Sequence, residues 1–459
     1  MSEVRSATGV TFESEAQVAI IGAGAAGLCA ALAASEAGAE PVVIERDAVP
    51  GGSTALSAGL IPAAGTRFQR VQDIADSPAL FAEDIRRKAH GEADPVLVRA
   101  VSEGAGPAIE WLAHTYAFPF EVVENFNYPG HSSFRMHGLP SRTGAELIDR
   151  LRGAVEGRGI PILTSAVGET LFADADGHIR GIEARRGNAT ERIGCGALVL
   201  ACNGYGGDPA LVRRFIPEMA DALYFGHTGN RGDAVRWGEA LGARLAHLPG
   251  YQGHGSVATP HNILITWAVV MEGGIQVNVE GRRFSNEALG YSEAAAQVLR
   301  QPRGIVFDIF DERIAAVARQ FQDFRDAERA GAAIAADTIE DLARAIAVPA
   351  EALRDEIERL TEAEDRFGRR FERENALRPP YRAIKVTGAL FHTQGGLAVD
   401  ADARVLRQDG RPFPNLFAAG GAAAGVSGSK AAGYLSGNGL LTATVLGRIA
   451  GRAAGRMAL

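Results

Sequence analysis

Gly22, Gly24 and Gly27, with Glu45 further on, are the residues whose types and spacing first suggest chemistry. In Gly22-Ala23-Gly24-Ala25-Ala26-Gly27 the first glycine permits a tight turn, the second lets the backbone come close to a pyrophosphate, and the third lets a helix pack against a strand. Free N–H groups at such a helix start attract phosphate. Glu45 stands about 20 residues past the motif, where a carboxylate that accepts both ribose hydroxyl hydrogens is expected.

The elements that must position these groups flank them. Val18-Ala19-Ile20-Ile21 reads as a strand, the alanine-rich stretch 28–36 as a helix, and Pro41-Val42-Val43-Ile44 as a second strand ending at Glu45. A glycine-rich helix start also occurs in chains that bind nothing; strand, helix and terminal acid together identify a dinucleotide-binding βαβ unit. These residues alone leave open which dinucleotide binds.

Arg46 follows at once, and then Gly51-Gly52-Ser53-Thr54-Ala55-Leu56-Ser57-Ala58-Gly59, too polar for a core strand and too irregular for a helix. Such a loop can wrap a second part of a cofactor or lie on the surface. The apolar Leu60-Ile61-Pro62 that follows suggests passage through the interior. Residues 80–117 predict helices broken near Gly91 and Gly104, and 142–157 a helix opened by Ser141-Arg142-Thr143-Gly144. From 160 to 201 short strands separated by turns such as Asp176-Gly177 predict a β-meander returning to a parallel sheet. Beyond Gly204 the texture changes, with an apolar run at 263–270, a strand and turn at 275–283, and a charged helical pair across 311–373 that reads as a solvated face. After Tyr381 glycine-rich segments resume, so the first domain is expected to be built from both ends of the chain.

At 459 residues the chain exceeds the usual single core, and 46% hydrophobic with 22% charged residues is ordinary globular composition. A net charge of -8 argues against a broad nucleic-acid surface. Neither a signal peptide nor a membrane anchor is apparent, which predicts a cytoplasmic protein with no membrane span. Cys29, Cys195 and Cys202 lack metal-ligand spacing and read as buried reduced thiols, so no metal is expected.

Taken together, Gly22 to Glu45, Gly52-Ser53-Thr54, Phe391-His392-Thr393-Gln394-Gly395-Gly396 and Pro414-Asn415-Leu416-Phe417-Ala418-Ala419-Gly420 resemble the flavoprotein family of soluble fumarate reductases, succinate dehydrogenase flavoprotein subunits and 3-ketosteroid Δ1-dehydrogenases. The resemblance runs from about residue 16 to 452. It implies an α/β fold: a discontinuous Rossmann-like FAD-binding domain, 1–204 and 381–459, with an inserted α+β capping domain, 205–380, and substrate held between flavin and cap. By position it implies FAD contacts at Ala23, Gly24, Ala26, Glu45, Arg46, Gly52, Ser53, Ala58, Gly59, Val167, Asn203, Asp233, Gly439 and Leu440. Members in membrane complexes carry a flavin-linked histidine in the early loop; Gly51-Gly52-Ser53-Thr54 has none, so noncovalent FAD is expected. Gly421 replaces a glutamate common after Ala-Gly in the family, removing one polar contact to the cofactor.

The catalytic positions divide the family. Where soluble fumarate reductases place an arginine proton donor shortly after an Asn-Glu pair, Asn286-Glu287 here leads to Tyr291. Their relay acid and arginine fall on Trp267 and Val270, and a further carboxylate-binding arginine falls on Tyr434. Two tyrosines at these positions resemble the ketosteroid dehydrogenases. That resemblance implies Tyr291 as the base taking the α-proton, and Tyr434 with the N–H of Asn438 polarising a ketone while a hydride leaves the β-carbon. His254 and His392 match substrate-binding histidines of the fumarate branch; charged or hydrogen-bonding, they suit a carboxylate or second oxygen, while a satisfied pocket histidine is the plainer alternative, more so for His254. Arg142 and Tyr128 are candidates for the same pocket, though a surface role and a turn aromatic read better.

The expected activity is an FAD-dependent dehydrogenase that forms or reduces a C=C bond α,β to a ketone, on a cyclic keto acid or steroid-like ketone, with an unknown electron acceptor. Reduction of an unsaturated carboxylate is the rival within the family. A nicotinamide-dependent dehydrogenase and a non-catalytic flavin-binding protein are the rivals from other classes.

Overall fold

The computed structural model describes residues 2–124, 127–361, 365–371 and 376–459. They form two units, one of residues 1–217, 226–251 and 392–459, the other of 218–225 and 252–391.

The first unit is built on a sheet whose parallel core follows the β-branched and aliphatic runs of the sequence. Strand Ser14–Ile21 lies between Pro41–Ile44 and Ala189–Leu200, both parallel to it, and Ala189–Leu200 is flanked at its far end by Pro412–Ala418, also parallel. Strands Ala166–Ala173, Ile179–Arg186 and Ala189–Leu200 pair antiparallel, which is the expected meander. The sheet is thus completed by strands from both ends of the chain. Val18, Ile20, Leu198, Val199, Leu416 and Phe417 are fully buried in its core.

Two helices cover this core in an unusually close pair. In helix Asn438–Ala458, Gly447, Gly451 and Gly455 recur every four residues, facing Ala26, Ala30 and Ala34 of helix Ala25–Glu36. A side chain at Gly451 would begin 2.0 Å from the carbonyl oxygen of Ala30, so only glycine permits this approach. Residues four apart share one helix face, which is why one stripe of glycines suffices.

Several local expectations needed correction. The predicted break at Gly104 is absent: helix Pro95–Thr115 runs through it, because that glycine makes room for Val445, whose Cγ1 lies 2.6 Å from where its Cβ would be. Gly91 does end a helix, at φ +76°. Gly52–Ala55, expected as irregular loop, makes one helical turn, entered through Gly52 at φ +55°, a left-handed conformation that favours glycine.

The second unit is a mainly antiparallel arrangement around the long strand Tyr381–Thr393, whose residues 381–387 pair with Ile305–Asp311, itself paired with Ile275–Asn278. Phe307, Ile309, Phe310, Phe324, Leu342, Leu353 and Ile384 fill its core. The apolar run 263–270 is not one element but a short strand, Ile263–Leu264, leading to the helix Ala268–Met271. The expected helical pair across 311–373 is instead four short helices with strand Ala333–Ala336 among them; residues 362–364 and 372–373 of that stretch lie outside the described residues.

The observed division differs from boundaries at 204/205 and 380/381. Residues 205–217 and 226–251 go with the first unit, where helix Asp233–Leu241 packs beside strand Glu3–Ser6, and 381–391 go with the second, whose sheet needs them as its central strand.

Candidate active site

In the first unit, the turn after strand Ser14–Ile21 is shaped as the glycine spacing requires. Gly22 sits at φ +106°, and a side chain on Gly27 would begin 1.8 Å from the Gly22 carbonyl oxygen. Gly24, by contrast, has open space above it, with only the Thr54 hydroxyl near, at 3.5 Å. The Thr54 hydroxyl accepts the Ala25 N–H at 3.0 Å, tying the second loop to the helix start. Glu45, 6% exposed, accepts the N–H of Ala23 at 2.7 Å and of Asp47 at 2.9 Å. A carboxylate has about four acceptor sites, so room remains for ribose hydroxyls. Val167 follows Ala166, whose N–H bonds the Glu45 carbonyl at 2.8 Å. Arg46 and Asp233 pair with each other at 2.7 Å. The Ser53 hydroxyl accepts the side-chain amide of Asn230 at 2.9 Å. Asn203 and Gly59 hold positive φ, at +64° and +66°; Ala58 is exposed.

In the same unit, His392, Tyr434 and the start of helix Asn438–Ala458 converge. The Tyr434 hydroxyl and the His392 ring lie 3.9 and 4.0 Å from the point where a side chain on Gly439 would begin. Burial pushes the Tyr434 phenol up to about 12, against the backbone N–H groups of Gly439 and Gly437 that bond its oxygen, so it is protonated at neutral pH. Burial pushes His392 down to about 4, so its ring is neutral. The N–H of Asn438 donates to the carbonyl of Leu435 at 3.0 Å. It is therefore spent in the turn, contrary to its expected role as carbonyl donor, while the N–H of Gly439 is given to the Tyr434 oxygen. Arg142 is exposed, in a turn at φ +50°, and its charge counters the burial that pushes Tyr128 up to about 12.

In the second unit, Tyr291 opens helix Tyr291–Leu299. Gly290 before it is at φ +149°, a conformation favouring glycine. The preceding turn is anchored: Asn286 caps it through the N–H of Ala288 at 3.1 Å, and buried Glu287 takes Arg283 at 2.7 Å and Arg369 at 3.0 Å. The Tyr291 ring is stacked on His254 with centroids 4.9 Å apart, and Trp267, Val270 and Ala294 surround it. The places of a relay acid and arginine are thus apolar packing. His254 accepts the Ser256 N–H on Nδ1 at 3.1 Å, and burial pushes it down to about 3. Neither histidine carries the positive charge considered from the sequence; each offers a neutral ring.

A family model described as an FAD binding domain matches residues 17–440. The chain belongs to this flavoprotein family. A probable fumarate reductase of Shewanella frigidimarina is 30% identical over 96% of this chain and 75% of its own length. A 4-oxocyclohexanecarboxylate 2-dehydrogenase of Sinomonas cyclohexanicum is 26% identical over 97% of this chain and 94% of its own. Among solved structures, a 3-ketosteroid-Δ4-(5α)-dehydrogenase of Rhodococcus jostii with bound 4-androstene-3,17-dione superposes with a TM-score of 0.80, 26% identity and 99% coverage of both chains.

FAD is the cofactor of this flavoprotein, and it is an oxidoreductase acting on C=C and CH–CH bonds. The residues present fit the group: Gly24 leaves space, the helix start offers N–H groups, and Glu45 keeps acceptor capacity. Every residue expected to touch FAD lies in the first unit, including Asp233, which the sequence boundaries had put in the cap. Of the catalytic candidates, Tyr434, His392 and Asn438 lie in the first unit and Tyr291 and His254 in the second. Sequence reasoning missed Thr54, which secures the helix start, and the side chain of Gln394. The period of two along a strand, which puts Gln394 on the face of His392, was the available signal. The three cysteines are free, with thiols pushed up to about 12 by burial, and no metal-binding cluster occurs among the described residues. No described helix is long and apolar enough to cross a membrane.

Proposed function

We propose that this flavoprotein forms, or in reverse reduces, the C=C bond α,β to a ketone on a small cyclic substrate. One observation carries the reading: the polar groups gathered at the start of helix Asn438–Ala458 are a buried, protonated tyrosine hydroxyl and a neutral imidazole, which suit a carbonyl oxygen better than a carboxylate. The Tyr434 oxygen accepts backbone N–H groups, so its own hydrogen is the one it gives to the ketone, and those N–H bonds stabilise the charge it takes on. Tyr291, in its ionised form, removes the α-proton as the β-hydride leaves; in reverse, as the phenol, it returns that proton. Tyrosine titrates near ~10 when unperturbed, so the base form favours alkaline conditions. The flavin supplies the hydride acceptor when bound.

FAD is held noncovalently in this reading, because Gly51-Gly52-Ser53-Thr54 has no histidine where the flavin-linked members carry one. The relative named for 4-oxocyclohexanecarboxylate supports a six-membered ring ketone. The relative named as a fumarate reductase supports the rival, an unsaturated carboxylate; Tyr291 and Tyr434, both lacking the charge such a substrate needs, stand against it. The reaction is placed in the cytoplasm, with an electron acceptor other than the ketone itself.

An anaerobic screen for bleaching of the bound flavin tests this directly. Cyclohexanone-type ketones or 3-ketosteroids should bleach it, and 2-cyclohexenone-type enones should reoxidise the reduced protein. Bleaching by succinate alone, or reoxidation by fumarate alone, would overturn the reading.

A further inference from the structure

Gln394, Ser427 and the side chain of Asn438 have no part in the roles above, yet they form a buried chain behind His392. The Gln394 amide nitrogen lies 2.8 Å from His392 Nδ1, the Ser427 hydroxyl 2.8 Å from Gln394 Oε1, and the Asn438 amide nitrogen 3.0 Å from the Ser427 oxygen. The three are 2%, 1% and 0% exposed. Asn438 Oδ1 is buried with no partner. On its other side, His392 Nε2 is 3.0 Å from where a side chain at Gly421 would begin, so glycine at that position keeps Nε2 uncovered.

We propose that Asn438, Ser427 and Gln394 are positioning residues that fix His392 in the Nε2–H tautomer, so that it presents a permanent neutral donor to an oxygen of the substrate. The direction of the chain follows from counting hydrogens. The Asn438 amide gives a hydrogen to Ser427, whose own hydrogen must then go to Gln394 Oε1. That turns the Gln394 –NH2 toward His392 Nδ1, which must accept and so cannot be protonated. The reversed chain, with Gln394 Oε1 facing a protonated Nδ1, would aim the Ser427 hydrogen at Asn438 Oδ1 and leave the whole Asn438 –NH2 buried without an acceptor. One orphaned carbonyl is the lesser cost, since unpaired buried N–H groups are the rarer kind.

A donor fixed in this way cannot become an acceptor, so it selects a carbonyl oxygen and rejects a hydroxyl that must donate. That consequence rests on the ketone reading; the tautomer does not. It also gives Asn438 a role through its side chain rather than through its N–H.

The test uses the FAD-loaded protein with 15N-labelled histidine, the His392 signals being identified by their loss in His392→Gln. The wild type should show a pyrrole-type Nε2 and a pyridine-type Nδ1. Asn438→Asp, at the start of a helix that favours its ionised form, supplies an acceptor for the Ser427 hydrogen and should reverse the whole chain, moving the proton on His392 to Nδ1. Turnover of the ketone by that variant should fall about tenfold, as for one lost hydrogen bond to the reacting oxygen, with the Michaelis constant changed less. Should Asn438→Asp fail to fold, Ser427→Ala serves, and it should give a mixture of both tautomers. A wild-type His392 protonated on Nδ1, or a tautomer unmoved by these changes, overturns the inference even if ketones are turned over. An Nε2–H histidine in a protein that ignores ketones overturns the functional reading and leaves the relay standing.

Discussion

Replacing Tyr434 by Phe keeps the ring and removes one oxygen. In the folded protein that oxygen accepts backbone N–H groups of Gly437 and Gly439 beside the start of a helix. Losing that acceptor leaves two N–H groups unpaired at about 1–3 kcal/mol each, within a typical domain stability of about 5–15 kcal/mol, so the variant should still fold and keep FAD. The effect on the reaction is larger. Charge develops on the ketone oxygen only as the α-proton leaves, and removing one preorganised donor from such an oxygen costs about 2.7–4 kcal/mol, or 10²–10³ in rate. The neutral His392 beside it does not compensate, because its ring is already a separate donor. Stopped-flow bleaching of the flavin under single-turnover conditions isolates this step from reoxidation. The rate should fall by two to three orders of magnitude with little change in the ketone's dissociation constant. A loss smaller than about threefold, or one confined to binding, would refute the role given to Tyr434.

Tyr291→Phe should abolish α-proton removal while leaving the flavin spectrum unchanged, measured as loss of solvent deuterium exchange at the α-carbon; near-normal exchange would remove Tyr291 as the base. Acid should destabilise the protein over a defined window. Burial holds His131, His137 and His392 near 4 and His254 near 3 in the folded state, so between about 6.5 and 4 the unfolded chain takes up protons that the folded one refuses. The stability these histidines confer is complete above 6.5 and is lost as pH falls; Asp308, raised to about 7, opposes them as a single group. Thermal midpoints should decline steadily from pH 6.5 to 4, and a flat profile would contradict the burial of these rings. Gly451→Ala must move its new Cβ from 2.0 Å to an ordinary contact with Ala30, so calorimetry should show a loss of about 1–3 kcal/mol and weaker FAD retention, whereas unchanged melting would deny the close helix approach.

What was legible in the sequence was local or carried by ordered motifs. The βαβ unit and the meander follow from short-range periodicity and turn residues, and the structure keeps them with only small shifts of boundary. Gly104 was misread because its reason is not local: it accommodates Val445, from a helix at the opposite end of the sequence. Gly52 to Ala55 make a helical turn that four small residues do not announce. Asp233 could be matched to cofactor contacts yet assigned to the wrong unit, since composition changes at Gly204 before the chain has finished with the first sheet. Tyr291 and Tyr434 take their proposed roles from position in the family motifs alone. The commitment of the Asn438 N–H to Leu435, and of its side chain to Ser427, was not legible, because it depends on how the loop before helix Asn438–Ala458 folds back on the helix start.

The glycine stripe of helix Asn438–Ala458 has a consequence for the order of events during synthesis. The helix carrying the phosphate-facing N–H groups is made long before helix Asn438–Ala458, whose glycines its alanine face packs against. Until those emerge, the nascent βαβ unit has an unsealed apolar side and an incomplete sheet, since Pro412–Ala418 is missing too. Long-range closure of this kind is slow. The nucleotide pocket is therefore not sealed until a much later segment is made, and flavin capture by a growing chain must wait for the segment that also brings Tyr434.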